Sequence, residues 1–314
     1  MSTETILEVR NVSKRFGGLQ ALSDVGIKIT RGQVYGLIGP NGAGKTTFFN
    51  VITGLYSPDS GSFELEGRPY KPSAVHEVAI AGIARTFQNI RLFQNMSVIE
   101  NVLVGMDRHL VQPGRWLSMR RLRDVWPFAA LAAGYAAMWL AIRFAFLPEA
   151  LTGLLLVGAV VGGAAVVVAI ARRGAFSPAG VEVEAVGRSE ALALLQFVGL
   201  AERSHDLAKN LPYGAQRRLE IARALATRPT LLLLDEPAAG MNPAETRSLM
   251  QLIQDIRGRG VTVLLIEHHM RVVMGISDRI AVLVYGQKIA EGAPEEIRNH
   301  PKVIEAYLGQ EQVG

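Results

Sequence analysis

The stretch GPNGAGKTT, residues 39–47, constrains this chain more than any other, because a glycine-rich turn of that form works only between a strand and a helix. Both neighbours are legible. QVYGLIG reads as a short buried strand ending at Ile38, and the residues from about Gly44 onward read as a helix. The pattern GxxxxGK[ST] sets Gly39, Gly44, Lys45 and Thr46 at its fixed positions, with Pro40, Asn41, Gly42 and Ala43 filling the turn and Thr47 following it. Glycine lets backbone amides come close to a polyphosphate, Lys45 supplies a point charge for the β- and γ-phosphates, and the Thr46 hydroxyl suits Mg2+. A nucleoside triphosphate with Mg2+ is the expected ligand.

A second signal lies near residue 235. LLLLDEP is four apolar residues, which make a buried strand, followed by Asp235 and Glu236 at its end. In an open parallel sheet the carboxyl ends of strands face the ligand, so Asp235 is expected to hold the metal, with Glu236 orienting an attacking water. An acidic pair after a strand is often only a helix cap, but beside a phosphate-binding turn the chemical reading prevails. VTVLLIEH gives another uniformly apolar strand, and such strands alternating with helices indicate a sheet covered on both faces. In the first third, ILEVRNV, VGIKIT and SFELEG alternate as half-buried strands; from Gly187 onward the pattern turns helical.

Between these halves sit two apolar runs, residues 126–147 and 150–171, joined by Pro148 and Glu149. Each is long enough as a helix to cross about 30 Å of hydrocarbon. Arg143 is the single charge within them, and Gly158 and Gly162 have the spacing that lets helices pack closely. Buried helices of a soluble domain normally keep a polar face, and residues 151–171 have none, so a membrane-associated helical hairpin is expected. Arginines flank its outer ends, which places both on the cytoplasmic side. Whether it spans the bilayer or lies in its interface stays open.

Charge narrows the partners. The chain of 314 residues has 33 Lys and Arg against 28 Asp and Glu, and the excess crowds beside the apolar runs at Arg115, Arg120, Arg121, Arg123, Arg172 and Arg173. That distribution lacks the basic and aromatic stripe that tracks a nucleic acid, so none is expected. The absence of cysteine excludes disulfides and thiolate chemistry. The opening MSTETILEVR is polar, without the basic start and apolar run of a secretory signal, and points to a cytoplasmic amino terminus.

Together with these motifs, ARTFQNIRLFQNMSVIENV, LPYGAQRRLEIARALA, DEPAAGMNP and IEHHMRVVMGISDRI make the chain resemble the nucleotide-binding subunits of ABC transporters, and among them the ATPase subunits of branched-chain amino acid importers. The resemblance covers residues 6–108 and 187–308. It implies an α/β P-loop NTPase fold with an antiparallel β subdomain and a helical subdomain, to which the apolar hairpin is an addition. The expected organisation is a first half of the ATPase core at 1–108, the insertion at 109–186, and the signature helix, acidic strand and tail at 187–314.

The resemblance also implies roles. Phe16 matches the aromatic that stacks on adenine, Gln88 the glutamine linking Mg2+ and the attacking water to the membrane partner, and His268 the histidine at the γ-phosphate. Tyr213 and Gly214 belong to the signature, which here reads LPYGA, where the general pattern is LSGGQ. Pro212 removes a serine hydroxyl and Ala215 a glutamine side chain, so contacts through backbone amides at Gly214 are expected. The branched-chain importers tolerate a related LxYG form. Asn242 replaces the usual aspartate, and His269 stands where an aspartate is common.

The implied activity is ATP hydrolysis by two such subunits, identical or paralogous, that close on ATP and drive permease subunits served by a solute-binding protein at the cytoplasmic face of the inner membrane. The hairpin would add a membrane or permease contact. The same engine could serve another cargo, such as urea, amides, aromatic acids or exported lipid. A soluble ATPase acting on ribosomes or DNA usually carries paired ATPase units or coiled-coil inserts, and neither is present. Glu236 speaks against a regulator without turnover.

Overall fold

The structure, a computed structural model, describes residues 4–72, 75–110 and 178–311. The runs 126–147 and 150–171, with the expected hairpin, lie outside them. Among the described residues no helix is long and apolar enough to cross a membrane. In chain order the first part holds β1 (Thr5–Phe16), β2 (Leu19–Thr30), β3 (Val34–Ile38), α1 (Lys45–Ile52), β4 (Ser60–Leu65), β5 (Arg68–Tyr70), α2 (Val75–Ile80), β6 (Ile83–Arg85) and α3 (Val98–Leu110). The second part holds α4 (Pro178–Phe197), α5 (Tyr213–Ala226), β7 (Leu231–Asp235), α6 (Pro243–Gly258), β8 (Thr262–Ile266), α7 (Met270–Ile276), β9 (Arg279–Val284), β10 (Gln287–Gly292), α8 (Pro294–Arg298) and α9 (Pro301–Glu311).

The alternating strands form a four-stranded antiparallel sheet in the order β2-β1-β4-β5, with Leu7, Val9 and Val12 of β1 buried. The uniformly apolar ones form the centre of a six-stranded sheet, β10-β9-β3-β8-β7-β6, in which only β10 runs antiparallel to its neighbour. Every residue of β3, β7 and β8 is buried, as a sheet covered on both faces requires. Phe48, Phe49 and Ile52 of α1 share one core with Leu7 and Leu22 of the first sheet and Leu233 and Leu264 of the second. Each such side chain, fully buried, contributes about 1.5–3 kcal/mol. On the other face Ile38, Ile280 and Val282 pack with Val273 of α7, Ile297 of α8 and Val303 of α9.

Register is what places the chemistry. Leu37 pairs with Ile266, Asp235 also pairs with Ile266, and Arg85 pairs with Leu233, so β3, β6, β7 and β8 end along one edge. The turn after Ile38, the pair Asp235 and Glu236, the histidines after Ile266 and the segment leading to Gln88 all leave the sheet there.

The chain divides into two compact units, one of residues 1–106 and 190–314, the other of residues 107–189. The strands and the residues considered below lie in the first. Helix α4 begins at Pro178, nine residues before the Gly187 at which the sequence pattern turns helical. Glycine in a helix interior costs about 1 kcal/mol relative to alanine, so a helix running through Gly187 goes against local propensity.

Candidate functional site: a phosphate-binding turn beside an acidic strand end

Gly39, Pro40, Asn41, Gly42, Ala43 and Gly44 form the turn between β3 and α1, closed by the Ala43 amide on the Pro40 carbonyl at 3.2 Å. Ala43 is buried, while Asn41 and Gly42 are exposed. Gly44 has φ +98°, and a Cβ there would stand 2.5 Å from the Ala21 carbonyl oxygen of β2, so the first sheet itself demands glycine at this point. The Lys45 ammonium lies inside the turn and donates to the carbonyls of Gly39 at 2.7 Å and Pro40 at 2.9 Å. Burial lowers its pKa, and the nearby Glu236 and Asp235 act in the opposite sense. Thr46 is exposed on the first turn of α1 and Thr47 half-buried behind it.

Asp235 is the last residue of β7 and is 4% exposed. Its Oδ2 accepts from Arg85 Nη2 at 2.7 Å, a pair buried on both sides. Glu236 follows with φ +45°, unusual for a residue with a Cβ and of the kind that collects at functional sites. Its Oε2 accepts from Gln88 Nε2 at 2.8 Å and lies 3.5 Å from His268 Nδ1. Three residues far apart in sequence, 88, 236 and 268, thus meet at one carboxylate oxygen. Neither acidic residue caps a helix; Asn242 caps α6, in a capping box with Glu245.

Phe16 ends β1, is 40% exposed and packs edge-on against Tyr56 with ring centroids 5.1 Å apart. One face of a half-exposed ring suits a base. Tyr213 and Gly214 open α5 after Pro212, and no side chain caps that helix. Among the described residues no hydrogen bond or ion pair links Tyr213 or Gly214 to Lys45, Asp235 or Glu236. The structure therefore brings the turn, the acidic pair, Gln88 and His268 together in one chain, and ties Tyr213 to the Gln88 turn through Arg217, whose Nη2 donates to the Gln88 carbonyl at 2.7 Å and to the Tyr213 hydroxyl at 3.4 Å.

Three supports were not read from the sequence. Arg85 pairs with Asp235, although ARTF, an arginine closing a short strand, offered a signal. Glu267, fully buried, accepts from the Ala238 amide at 2.8 Å and the His268 amide at 3.2 Å and lies 3.2 Å from His269 Nδ1. It ties the histidine loop to the turn after Glu236. Arg217, also fully buried, donates to the carbonyls of Phe87 at 2.5 Å and Gln88 at 2.7 Å and pairs with Glu220 at 2.8 Å, fastening the Gln88 turn to α5.

The family described as ABC transporter matches residues 22–239, and one described as branched-chain amino acid ATP-binding cassette transporter matches residues 287–313. The high-affinity branched-chain amino acid transport ATP-binding protein BraF of Pseudomonas aeruginosa is 40% identical over 312 residues, 97% of this chain and 98% of its own length. The corresponding LivG protein of Salmonella typhimurium is 40% identical over 309 residues, 98% of this chain and 99% of its own. An ATP-binding cassette of an ABC transporter, solved in its ADP conformation, superposes with a TM-score of 0.69 at 28% identity, over 98% of this chain and 100% of that one.

Proposed function

Because the chain belongs to the ABC transporter family, we propose that it is the ATP-hydrolysing subunit of a branched-chain amino acid importer, one of two ATPase chains bound to a permease at the cytoplasmic face of the membrane. The cargo is supported by the 40% identity to BraF and LivG and by the C-terminal match. A solute-binding protein would deliver it from the far side. The hydrolytic reading rests on the meeting of Gln88 and His268 at Glu236 Oε2.

The turn amides and Lys45 bind the β- and γ-phosphates, and Phe16 offers its ring to adenine. Thr46, Gln88 and Asp235 present oxygen donors, the set a hard divalent cation takes, and Asp235 Oδ1 has no hydrogen-bond or ion-pair partner among the described residues. They fit Mg2+, which when bound neutralises charge developing on the transferred phosphoryl group. Glu236 orients and polarises the attacking water, Gln88 holds that carboxylate from one side, and His268 reaches toward the γ-phosphate from the other. The helix start at Gly214 supplies backbone amides to ATP held by the second chain.

An apolar groove of about 720 Å³, lined by Leu55, Val78, Ile83, Phe93 and Val104 among others, borders Phe87 and Arg91 of the Gln88 turn. We assign the permease contact to it. The apolar runs at 126–147 and 150–171 would add a membrane contact, supported by their length and lack of charge.

Uptake of labelled leucine, isoleucine and valine in cells carrying Lys45→Ala tests the cargo: loss is expected, and uptake equal to wild type removes the assignment. Glu236→Gln is expected to lower ATP hydrolysis by roughly 100-fold or more while ATP still binds, since binding and water activation use different groups.

A further inference from the structure

Arg85 stands between the groove and the acidic strand end and touches both. Its side chain is 7% exposed. Nη2 donates to Asp235 Oδ2, and Nη1 donates to Asn50 Oδ1 at 2.7 Å and Thr53 Oγ1 at 3.1 Å, both on or just after α1. The guanidinium carbon lies 5.4 Å from the Phe49 ring centre and 5.0 Å from that of Phe87. Arg91 lies over the Phe87 ring at 4.1 Å, and Arg85, Phe87 and Arg91 all line the groove.

Arg91, Phe87, Arg85 and Asp235 are therefore in unbroken contact from the groove wall to the strand end. Nη1 is held by Asn50 and Thr53 while Nη2 holds one oxygen of Asp235, so the rigid guanidinium plane fixes that oxygen relative to α1, which a flexible ammonium does less well. Its Nε is buried without a partner, so this grip does not satisfy the guanidinium fully.

We propose that Arg85 is a positioning residue that sets the Asp235 carboxylate for the metal, and that Phe87 makes this setting respond to whatever fills the groove. The proposal rests on the MgATP reading above. It gives the permease a route to the strand end that does not pass through the Gln88 side chain.

The test uses the full chain and a fluorescent ATP analogue, titrated with Mg2+ and, separately, bound in EDTA, with melting temperatures recorded alongside. Arg85→Lys keeps the charge and loses the rigid plane. It is expected to raise the Mg2+ concentration for half-maximal tightening by roughly tenfold or more, the usual effect of removing a residue that orients a metal ligand. Binding in EDTA should stay as in wild type, while the melting temperature falls because the Nη1 bonds to Asn50 and Thr53 are lost. Phe87→Leu, which leaves the ion pair in place, should raise the half-point in the same direction by a smaller factor. An unchanged or lowered half-point in Arg85→Lys overturns the positioning role, and an unchanged one in Phe87→Leu overturns the link to the groove. If Arg85→Lys does not fold, Phe87→Leu alone decides by the same criterion. A wild-type chain whose binding ignores Mg2+ would instead refute the reading on which the proposal stands.

Discussion

At the turn closed by Lys45 and the strand end at Asp235, the charged groups are held from within the chain: Lys45 by two carbonyls, Asp235 by Arg85, Glu236 by Gln88. At the start of α5, Tyr213 and Gly214 open a helix with no side-chain cap, and a Cβ on Gly214 would stand 2.6 Å from the Glu245 carboxylate. The first region is assembled by one chain. The second is a helix start without a side-chain cap, the feature on which the proposed two-chain clamp relies. Changes in the first region should register in a single chain, and changes in the second only when two chains meet.

Arg217 joins the regions and offers the largest effect. Arg217→Met would leave Glu220 buried without its partner and free the Gln88 turn from α5, at a cost of about 3–5 kcal/mol of stability. Chemical denaturation of the full chain measures it, and a loss below 1 kcal/mol would show that the two regions are not held together there. Asn242→Ala should cost about 1 kcal/mol, the ordinary value of a helix cap, because Asn242 is engaged within its own chain. If denaturation shows no loss and ATP-dependent dimerisation falls instead, Asn242 belongs with the second region. Pro212→Ser, which restores the hydroxyl of the general pattern, should change single-chain stability by no more than about 0.5 kcal/mol, because the hydroxyl gained at the N-cap of α5 is offset by the proline's fixed backbone lost. It should strengthen ATP-dependent association of two chains, as sedimentation would show.

The first region was legible in the sequence because its parts are contiguous and each carries a residue type with few other uses there: GxxxxGKT after an apolar strand, and an acidic pair ending another. The supports were not, because each spans the chain. Arg85 meets Asp235 across 150 positions and Arg217 meets Phe87 across 130, distances at which only the register of β6 with β7 and the packing of α5 decide contact. Asn242 is instructive in the opposite way. NPAE carries a complete capping box, legible locally, and the replacement of the usual aspartate by Asn242 keeps a side-chain oxygen that can cap the helix.

Sedimentation of the full chain with Glu236→Gln, in MgATP and in MgADP, tests the central claim most directly, since a chain that binds ATP without cleaving it should stay closed on its twin or its paralogue. A two-chain particle is expected in MgATP and single chains in MgADP. Single chains in both nucleotides, with ATP bound and the cognate second ATPase chain present, would contradict the claim.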